Sequence, residues 1–351
     1  MTRRGALAIF GAWRAAAAQK RIAIRGMYSH PKAFWDRGAK LDDYGVNALF
    51  VHGGSITPEL LARAGAEGAR VFAEFATLNG KGYLEKRPEA WPVNERGERA
   101  PAATWFLGAC PTEPGFRAFR MKQLEELLER CAVAGVWLDY FHWHAQFEDP
   151  HPVLPETCFC ESCLAAFAAR SGEQAPQGET AMRARWILTR HERAWRKWRV
   201  DVLLDWAREA KAVVRRARPS ALLGVYHCPW TDEEFGGARE RILGLDLKQL
   251  ASVVDVLSPM VYHGRMRRSA EWVGEYVAWL SRRVGRGCQI WPIVQAQSEP
   301  REITAGEFER VLRLGAGGSA TGVMMFTAQA VAADGAKMDA MRRAYGEWGS
   351  R

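Results

Sequence analysis

Short apolar segments alternate with helical segments eight times along this chain. Between the apolar segments, hydrophobic residues recur at the 3.6-residue period of a helix that covers a sheet, over residues 57–68, 115–134, 239–250, 270–284 and 304–314. Eight alternations of strand and helix predict an α/β fold, a (β/α)8 TIM barrel of parallel strands. The predicted strands are residues 21–28, 46–52, 70–75, 136–141, 222–227, 253–262, 289–294 and 322–326.

The length of 351 residues favours one large domain over two small ones. Such barrels need about 250 residues and often carry long insertions. We therefore predict a single barrel domain over residues 21–351, with insertions at 78–114 after the third strand and at 146–219 after the fourth. The second insertion is rich in cysteine and contains a long basic helix from about residue 179 to 218. Insertions that follow strands lie on the face where barrels place their active sites.

Residues 1–20 carry a different pattern. Arg3 and Arg4 precede an apolar run and then four alanines at 15–18, an order typical of an export signal, and the paired arginines indicate the twin-arginine route to a periplasmic or secreted location. Arg14 interrupts the apolar run, so an N-terminal helix of a cytoplasmic protein is the alternative. No apolar run approaches the ~20 residues of a membrane span.

The composition indicates which class of molecule the protein binds. The formal net charge is +9, but the arginines are spread along the chain and not concentrated in one tract, so we expect no nucleic-acid partner. The 15 tryptophans favour carbohydrate, because flat aromatic faces stack on the C–H faces of sugar rings, although most tryptophans in proteins are core residues. The sequence gives no indication of the oligomeric state.

Polar and aromatic side chains follow the predicted strands at their carboxyl ends. In a barrel these ends share one face, so the side chains would form a polar pocket above a packed core. We predict that the substrate is bound by Tyr28, His30, Glu74, His142, Trp143, His144, His227, Trp230, Tyr262, His263, Gln295 and Gln297. His52 and Thr327 follow the two remaining strands.

Asp139 ends a buried strand whose preceding residues are Val136, Trp137 and Leu138. Glycoside cleavage requires one carboxylate to stabilise or attack C1 and a second, protonated carboxyl group to release the leaving oxygen. Asp139 is the best candidate for the first role. The leading candidates for the second catalytic group are Asp232 and Glu148, followed by Glu74, Glu233 and Glu299.

Cys158, Cys160 and Cys163 place three thiolates within one tight turn and leave one tetrahedral position open. A closed site of this kind predicts structural zinc, which adds to folding energy and takes no part in the chemistry. A disulfide in an exported protein, or free thiols, are the alternatives. The sequence predicts no organic cofactor.

Several segments together resemble glycoside-hydrolase-like barrels. They are ACP at 109–111, GVWLDYFHW, CFCESCLAAF, LSPMVYH and WPIVQ, within residues 24–326. A strand-four motif ending in LDY or FD before a CxCxxC cluster is typical of hypothetical glycosyl hydrolase families, and the cluster is similar to that of the family 42 β-galactosidases. The resemblance implies a barrel that hydrolyses an O-glycosidic bond of a carbohydrate.

Family 42 places an Asn-Glu pair where this chain has Leu138 and Asp139, so the acid/base assignment of that family does not carry over. The single Asp at this position resembles the nucleophile of α-fucosidase and α-galactosidase barrels, which implies the same role for Asp139. The similarity to family 42 also implies that Cys110 is the fourth zinc ligand. The sugar, its anomer and the stereochemistry of the reaction stay open.

Two other functions fit the same residues. His142 and His144, with histidines at other strand ends, suggest a catalytic metal centre of the amidohydrolase type, although those barrels carry their HxH pair on strand one. A barrel that binds glycan without turnover would leave Asp139 without a carboxylate partner. Paired carboxyl groups about 5–9.5 Å apart would favour hydrolysis, and converging histidine nitrogens would favour a metal.

Overall fold

Nine parallel strands close into a barrel in the computed structural model, which describes residues 22–102, 106–285 and 287–349. β7 and β8 are two parts of one barrel strand, and β5 pairs with both β4 and β6, so the barrel has eight strand positions. The (β/α)8 prediction is therefore confirmed. The strands are β1 Ile24–Tyr28, β2 Ala48–His52, β3 Arg70–Ala76, β4 Gly135–Asp139, β5 Leu222–His227, β6 Val256–Val261, β7 Gln289–Ile290, β8 Ile293–Gln295 and β9 Gly322–Phe326.

The same described residues contain twelve α-helices, most of them between consecutive strands. No described helix is long and apolar enough to cross a membrane. The export signal predicted at residues 1–20 lies outside the described residues. The helices are α1 Lys32–Trp35, α2 Pro58–Ala66, α3 Pro114–Arg130, α4 Glu161–Ser171, α5 Thr180–Arg190, α6 Glu192–Ala217, α7 Ala238–Arg241, α8 Leu247–Leu250, α9 Ala270–Arg283, α10 Ala305–Gly315, α11 Ala328–Ala332 and α12 Gly335–Gly349.

Three predicted elements are divided. The basic helix predicted at 179–218 is two helices, α5 and α6, which meet at His191 with a non-helical φ of −130°. The helix predicted at 239–250 is replaced by the short α7 and α8, because Gly244 between them adopts a left-handed φ of 71°. The strand predicted at 289–294 is interrupted at Trp291 and Pro292, since proline has no N–H to donate to the neighbouring strand.

Large aromatic side chains fill the inside of the barrel. The rings of Trp137 and Trp291 stack with centroids 5.3 Å apart, and Phe50 and Phe72 stack at 4.9 Å beside them. Gly224 makes room for this layer, because a Cβ there would lie 2.2 Å from the Trp137 ring. The interior of the barrel is thus a packed core, and the space for a ligand is restricted to its ends.

The insertion after β4 is held by its own aromatic cluster. Phe159 stacks on Trp195 at 4.8 Å, and Trp195 packs against Phe167 at 5.0 Å and Trp198 at 4.6 Å. Arg199, on the same helix as Trp195, is fully buried and donates hydrogen bonds to the carbonyls of Arg241 and Ile242. The insertion is thereby fixed to the segment that follows β5.

Candidate active site

A cavity of about 870 Å³ opens at the carboxyl ends of the strands. Three aromatic rings from different strands line it side by side: Phe326 lies 4.9 Å from Tyr28 and 4.8 Å from Tyr262, measured between ring centroids. The carboxyl groups of Asp139 and Glu148 line the same space. The described lining residues include no tryptophan, so tyrosine and phenylalanine supply the apolar surface of this cavity.

Asp139 is positioned by an unusual turn of the backbone at the end of β4. The N–H of Tyr140 donates to Asp139 Oδ1 at 2.8 Å. Tyr140 has a φ of 50°, a left-handed conformation that bulky side chains rarely adopt. Its ring stacks on Phe106 with centroids 5.1 Å apart and planes 6° apart. This packing keeps the strained turn in place and Asp139 in the cavity.

The Asp139 carboxyl group contacts a second carboxyl group, that of Glu74 on the adjacent strand β3. Glu74 is only 8% exposed, and the hydroxyl of Tyr28 donates to its Oε2 at 2.5 Å. Burial, and then the charge of Glu74, raise the pKa of Asp139 well above its usual range. Asp139 therefore retains a proton to higher pH than an ordinary aspartate does.

Glu148 reaches the cavity from a short loop, residues 147–152, that is closed by two 2.9 Å backbone hydrogen bonds between Gln146 and Val153. Its Oε2 lies 2.6 Å from Nη1 of Arg265, which comes from the loop after β6. Burial raises the pKa of Glu148, and the guanidinium of Arg265 opposes that rise. Asp139 and Glu148 thus face one cavity in different electrostatic environments, one beside a carboxylate and the other beside a cation.

Gln295 and Gln297 support the Arg265 loop. Gln295 Oε1 accepts from the N–H of Arg265 at 2.9 Å, and its amide donates to the carbonyls of Gln297 and Glu299, each at 2.8 Å. Gln297 Oε1 accepts from Arg265 Nη2 at 3.2 Å. Neither glutamine lines the cavity, and both contact Arg265, which does.

The predicted histidines form other contacts. His144 is fully engaged, because its Nδ1 accepts from the N–H of Gly108 at 3.1 Å and its Nε2 donates to the Pro101 carbonyl at 2.7 Å. His142 and His227 bond to the carbonyls of Trp143 and Cys228, and burial lowers their pKa values to about 4 and about 3. All three side chains thus contact the backbone, and burial lowers the pKa of each and favours the neutral imidazole.

His263 and His30 likewise lie outside the cavity lining. His263 Nε2 is 2.9 Å from Glu307, and His30 Nδ1 accepts from the N–H of Lys32 at 3.0 Å. Within the described residues no group of three or more histidine, aspartate or glutamate side chains converges at metal-binding distance. The geometry therefore gives no support to a catalytic centre of the amidohydrolase type.

Trp143 and Trp230 are core residues. Trp143 is fully buried and its Nε1 donates to the Arg199 carbonyl at 3.1 Å. Trp230 is buried between Phe147, at 6.2 Å, and Phe235, at 4.3 Å. Neither ring lines the cavity.

Asp232 also lies away from the cavity. Its carboxylate is 2.5 Å from Nη2 of Arg239, and it forms a second ion pair with Arg283. Both oxygens are therefore neutralised by cations outside the site, and the structure does not bring Asp232 to Asp139. Of the other carboxyl candidates, Glu299 lines the cavity and Glu233 is exposed at the surface.

Sequence reasoning missed several cavity residues. Phe326 ends a strand that was predicted correctly, and its aromatic side chain at a strand end was an available signal. Tyr226 on β5 was also missed: it lies outside the cavity lining but next to Glu74 and Asp139, and its buried hydroxyl has no partner among the described residues. Arg265 lies in a loop whose sequence has no periodic pattern, so its contact with Glu148 was not predictable from spacing.

The four cysteines form a compact buried cluster. The sulfur atoms of Cys110, Cys158, Cys160 and Cys163 all lie within 4.8 Å of one another, with Cys110 Sγ 3.3 Å from that of Cys163. The N–H of Val93 donates to Cys158 Sγ at 3.3 Å. Four sulfurs at these distances, with a backbone N–H directed at one, fit a metal ion in a closed site. The cluster joins the insertion after β3 to the insertion after β4.

Solved structures with the same fold include several glycoside hydrolases. The glycoside hydrolase domain of PgaB from Bordetella bronchiseptica superimposes with a TM-score of 0.66 and 13% identity over 92% of this chain and 98% of that domain. A β-galactosidase from Marinomonas ef1 gives 0.67 and 14% over 92% of this chain, and a catalytic mutant of Gan42B, a family 42 β-galactosidase from G. stearothermophilus, gives 0.65 and 13% over 94%.

The chain spans only 59% and 57% of the lengths of these two galactosidases. No protein-family description and no curated protein sequence matches the chain. At such low identities the likeness shows the fold alone. It confirms, at the level of the fold, the resemblance to glycoside-hydrolase barrels that the sequence segments indicated.

Proposed function

We propose that this protein is a glycoside hydrolase that cleaves an O-glycosidic bond of a carbohydrate. The observation that carries the proposal is the pair of carboxyl groups, Asp139 and Glu148, in one aromatic cavity with opposite electrostatic environments. Glycoside cleavage needs one protonated and one charged carboxyl group. The shared fold with glycoside hydrolases supports the same conclusion.

In this mechanism Asp139 is the general acid. Its proton passes to the glycosidic oxygen as the bond from C1 to that oxygen breaks, and the positive charge that develops at C1 is stabilised by the Glu148 carboxylate. Water then adds to C1 and returns one proton to Asp139. This assignment differs from the nucleophile role that the sequence resemblance implied for Asp139, because a carboxyl group next to the charge of Glu74 is a poor anion.

The aromatic rings of Tyr28, Tyr262 and Phe326 supply the apolar surface on which a sugar ring stacks. Burial raises the pKa of Glu148, and the guanidinium of Arg265 opposes that rise and so favours the charged form. The cavity is thus suited to an uncharged polar ring with one apolar face. We retain from the sequence the hypothesis that the protein is exported by the twin-arginine route.

We further propose that the four-cysteine cluster holds structural zinc. Zinc in a four-sulfur site has no open coordination position, so it contributes to folding and not to the reaction. Cys110, Cys158, Cys160 and Cys163 would hold the ion. The site lies outside the lining of the cavity, which supports a structural role.

The test is hydrolysis of a panel of aryl α- and β-glycosides, oligosaccharides and polysaccharides, with products detected as new reducing ends. Wild type should cleave at least one substrate, and Asp139→Asn and Glu148→Gln should each lose at least ~100-fold in kcat while keeping the wild-type circular dichroism spectrum. Failure of the wild type on the whole panel, or full activity of Asp139→Asn, would contradict the proposal.

A further inference from the structure

We propose that Glu74 is a positioning residue, which shares a single proton with Asp139 and, through the hydrogen bond from Tyr28, directs that proton to Asp139. The inference rests on the proposed function, since it concerns the same site. It assigns to Glu74 a role in setting the protonation state of Asp139. The sequence, in contrast, predicts that Glu74 binds the sugar.

The strand register brings the two carboxyl groups together. β3 and β4 run parallel, with Ala76 opposite Asp139 and Glu74 opposite Trp137. Residues two apart on a strand point to the same side, so Glu74 and Asp139 both project to the inside of the barrel on neighbouring strands. Glu74 does not line the main cavity, whereas Asp139 does. Only Asp139 is therefore in contact with an incoming ligand.

The contacts of each carboxyl group decide which one holds the proton. Two buried carboxyl groups in contact do not both ionise, so the pair keeps one proton. The Tyr28 hydroxyl donates to Glu74 Oε2 at 2.5 Å, so this oxygen is an acceptor and not the position of the shared proton. The N–H of Tyr140 occupies Asp139 Oδ1, which leaves Oδ2 as the position for the proton. These contacts direct the shared proton to Asp139.

The other groups that face Asp139 do not supply an unbalanced negative charge as Glu74 does. Tyr28 on β1, Tyr226 on β5 and Tyr262 directly after β6 are neutral, because burial raises their pKa values well above the usual range. Glu148 faces Asp139 from the loop after β4, but its charge is matched by Arg265. After Asp139 has given up its proton, its charge lies directly against that of Glu74. That repulsion favours the return of a proton from the attacking water.

The experiment compares wild type with Glu74→Gln and Tyr28→Phe. Tyr83→Phe is the matched control, because Tyr83 forms a similar bond to Glu113, at 3.2 Å, away from the site. Two readouts are taken over a pH series: the infrared carbonyl band of a protonated carboxyl group in protein labelled with 13C-aspartate, and the pH profile of kcat/KM on a substrate identified by the panel. The infrared readout does not depend on activity.

Glu74→Gln removes the neighbouring charge, so the aspartate carbonyl band and the alkaline limb of kcat/KM should both move to lower pH by about 2 units. The kcat should change more than KM, because Glu74 does not touch the ligand. Tyr28→Phe should instead move the proton toward Glu74, weaken the labelled aspartate band and lower kcat by ~10-fold. Tyr83→Phe should match wild type in both readouts.

An unchanged aspartate band in Glu74→Gln would overturn the inference, whatever the enzyme hydrolyses. If Glu74→Gln does not fold, Tyr28→Phe decides, and a labelled band equal to that of wild type would overturn the inference in the same way. If no glycan is cleaved but the band moves as described, the shared proton stands and the proposed function falls. If glycans are cleaved and neither readout moves, the function stands and the role of Glu74 falls.

Discussion

Glu148 Oε2 lies 2.6 Å from Nη1 of Arg265, and this ion pair joins the loop after β4 to the loop after β6 across the candidate active site. A carboxylate as buried as Glu148 would otherwise favour its neutral form. Arg265 is itself fixed by Gln295 and Gln297 and lies over the Tyr262 ring at 5.3 Å. The charge on Glu148 thus depends on the position of one arginine.

Arg265→Gln should therefore reduce activity without removing a carboxyl group. Without the cation the pKa of Glu148 rises further, so its charged form is reached only at higher pH and the acidic limb of the kcat/KM profile should move to higher pH. We expect kcat at neutral pH to fall by ~100-fold. Arg268→Gln is the control, because Arg268 is on the same loop but pairs with Glu234, at 2.8 Å, outside the cavity. An acidic limb that does not move would show that Glu148 is charged without Arg265.

The barrel was predictable because its evidence is local. Buried parallel strands are short apolar runs and their covering helices have a 3.6-residue period, so both are visible in sequence. Asp139 was singled out for the same reason, since it ends such a run. The breaks at Gly244 and Pro292 were not predicted, although residues of their kind often divide helices and strands.

The residues that line the cavity were less predictable, because the side chain of a residue at a strand end does not necessarily point into the cavity. His142 follows β4 and His227 ends β5, yet both bond to backbone carbonyls. Asp232 and Glu148 both lie in loops after strands and both pair with arginine, but only Glu148 lines the cavity. Arg265 lies 117 residues from Glu148 in the sequence, so spacing along the chain carries no information about that pairing.

Asp232→Asn tests this distinction directly. Because the Asp232 carboxylate is bound by Arg239 and Arg283 away from the cavity, we expect kcat and KM within about twofold of wild type. The substitution leaves Arg239, which is 4% exposed, without its charged partner, so the free energy of unfolding should fall by about 1–2 kcal/mol. Steady-state kinetics and urea unfolding check both parts. A loss of kcat as large as that of Glu148→Gln would instead place Asp232 in the reaction.

Asp139→Asn should change the pH dependence of stability as well as activity. The folded-state pKa of Asp139 lies above its unfolded value of about 3.9, so the stability that its protonated form contributes is present at low pH and is lost as the pH rises through the folded value. Asparagine does not titrate, so the variant avoids this loss. The difference in Tm, variant minus wild type, should increase by at least ~2 °C between about pH 5 and pH 9. A difference that is constant with pH would mean that Asp139 is ionised in the folded protein throughout this range.

Cys110→Ser should destabilise the protein through the loss of a bound metal. Cys110 is the one cluster member from the insertion after β3, and its Sγ lies 3.3 Å from that of Cys163 and 3.6 Å from that of Cys160. With three sulfurs left, zinc should fall from about one per chain to well below one, and the free energy of unfolding should drop by at least ~3 kcal/mol. Elemental analysis and thermal unfolding measure the two effects.

Cys288→Ser is the control, because Cys288 is buried outside the cluster near a backbone carbonyl, so its substitution should leave the metal content unchanged. Wild-type protein that contains no zinc, and that chelators do not destabilise, would mean that the four thiols are packed without a metal. Because the cluster joins the insertions after β3 and β4 and lies outside the cavity lining, a loss of metal should lower thermal stability while the protein that is still folded keeps its activity.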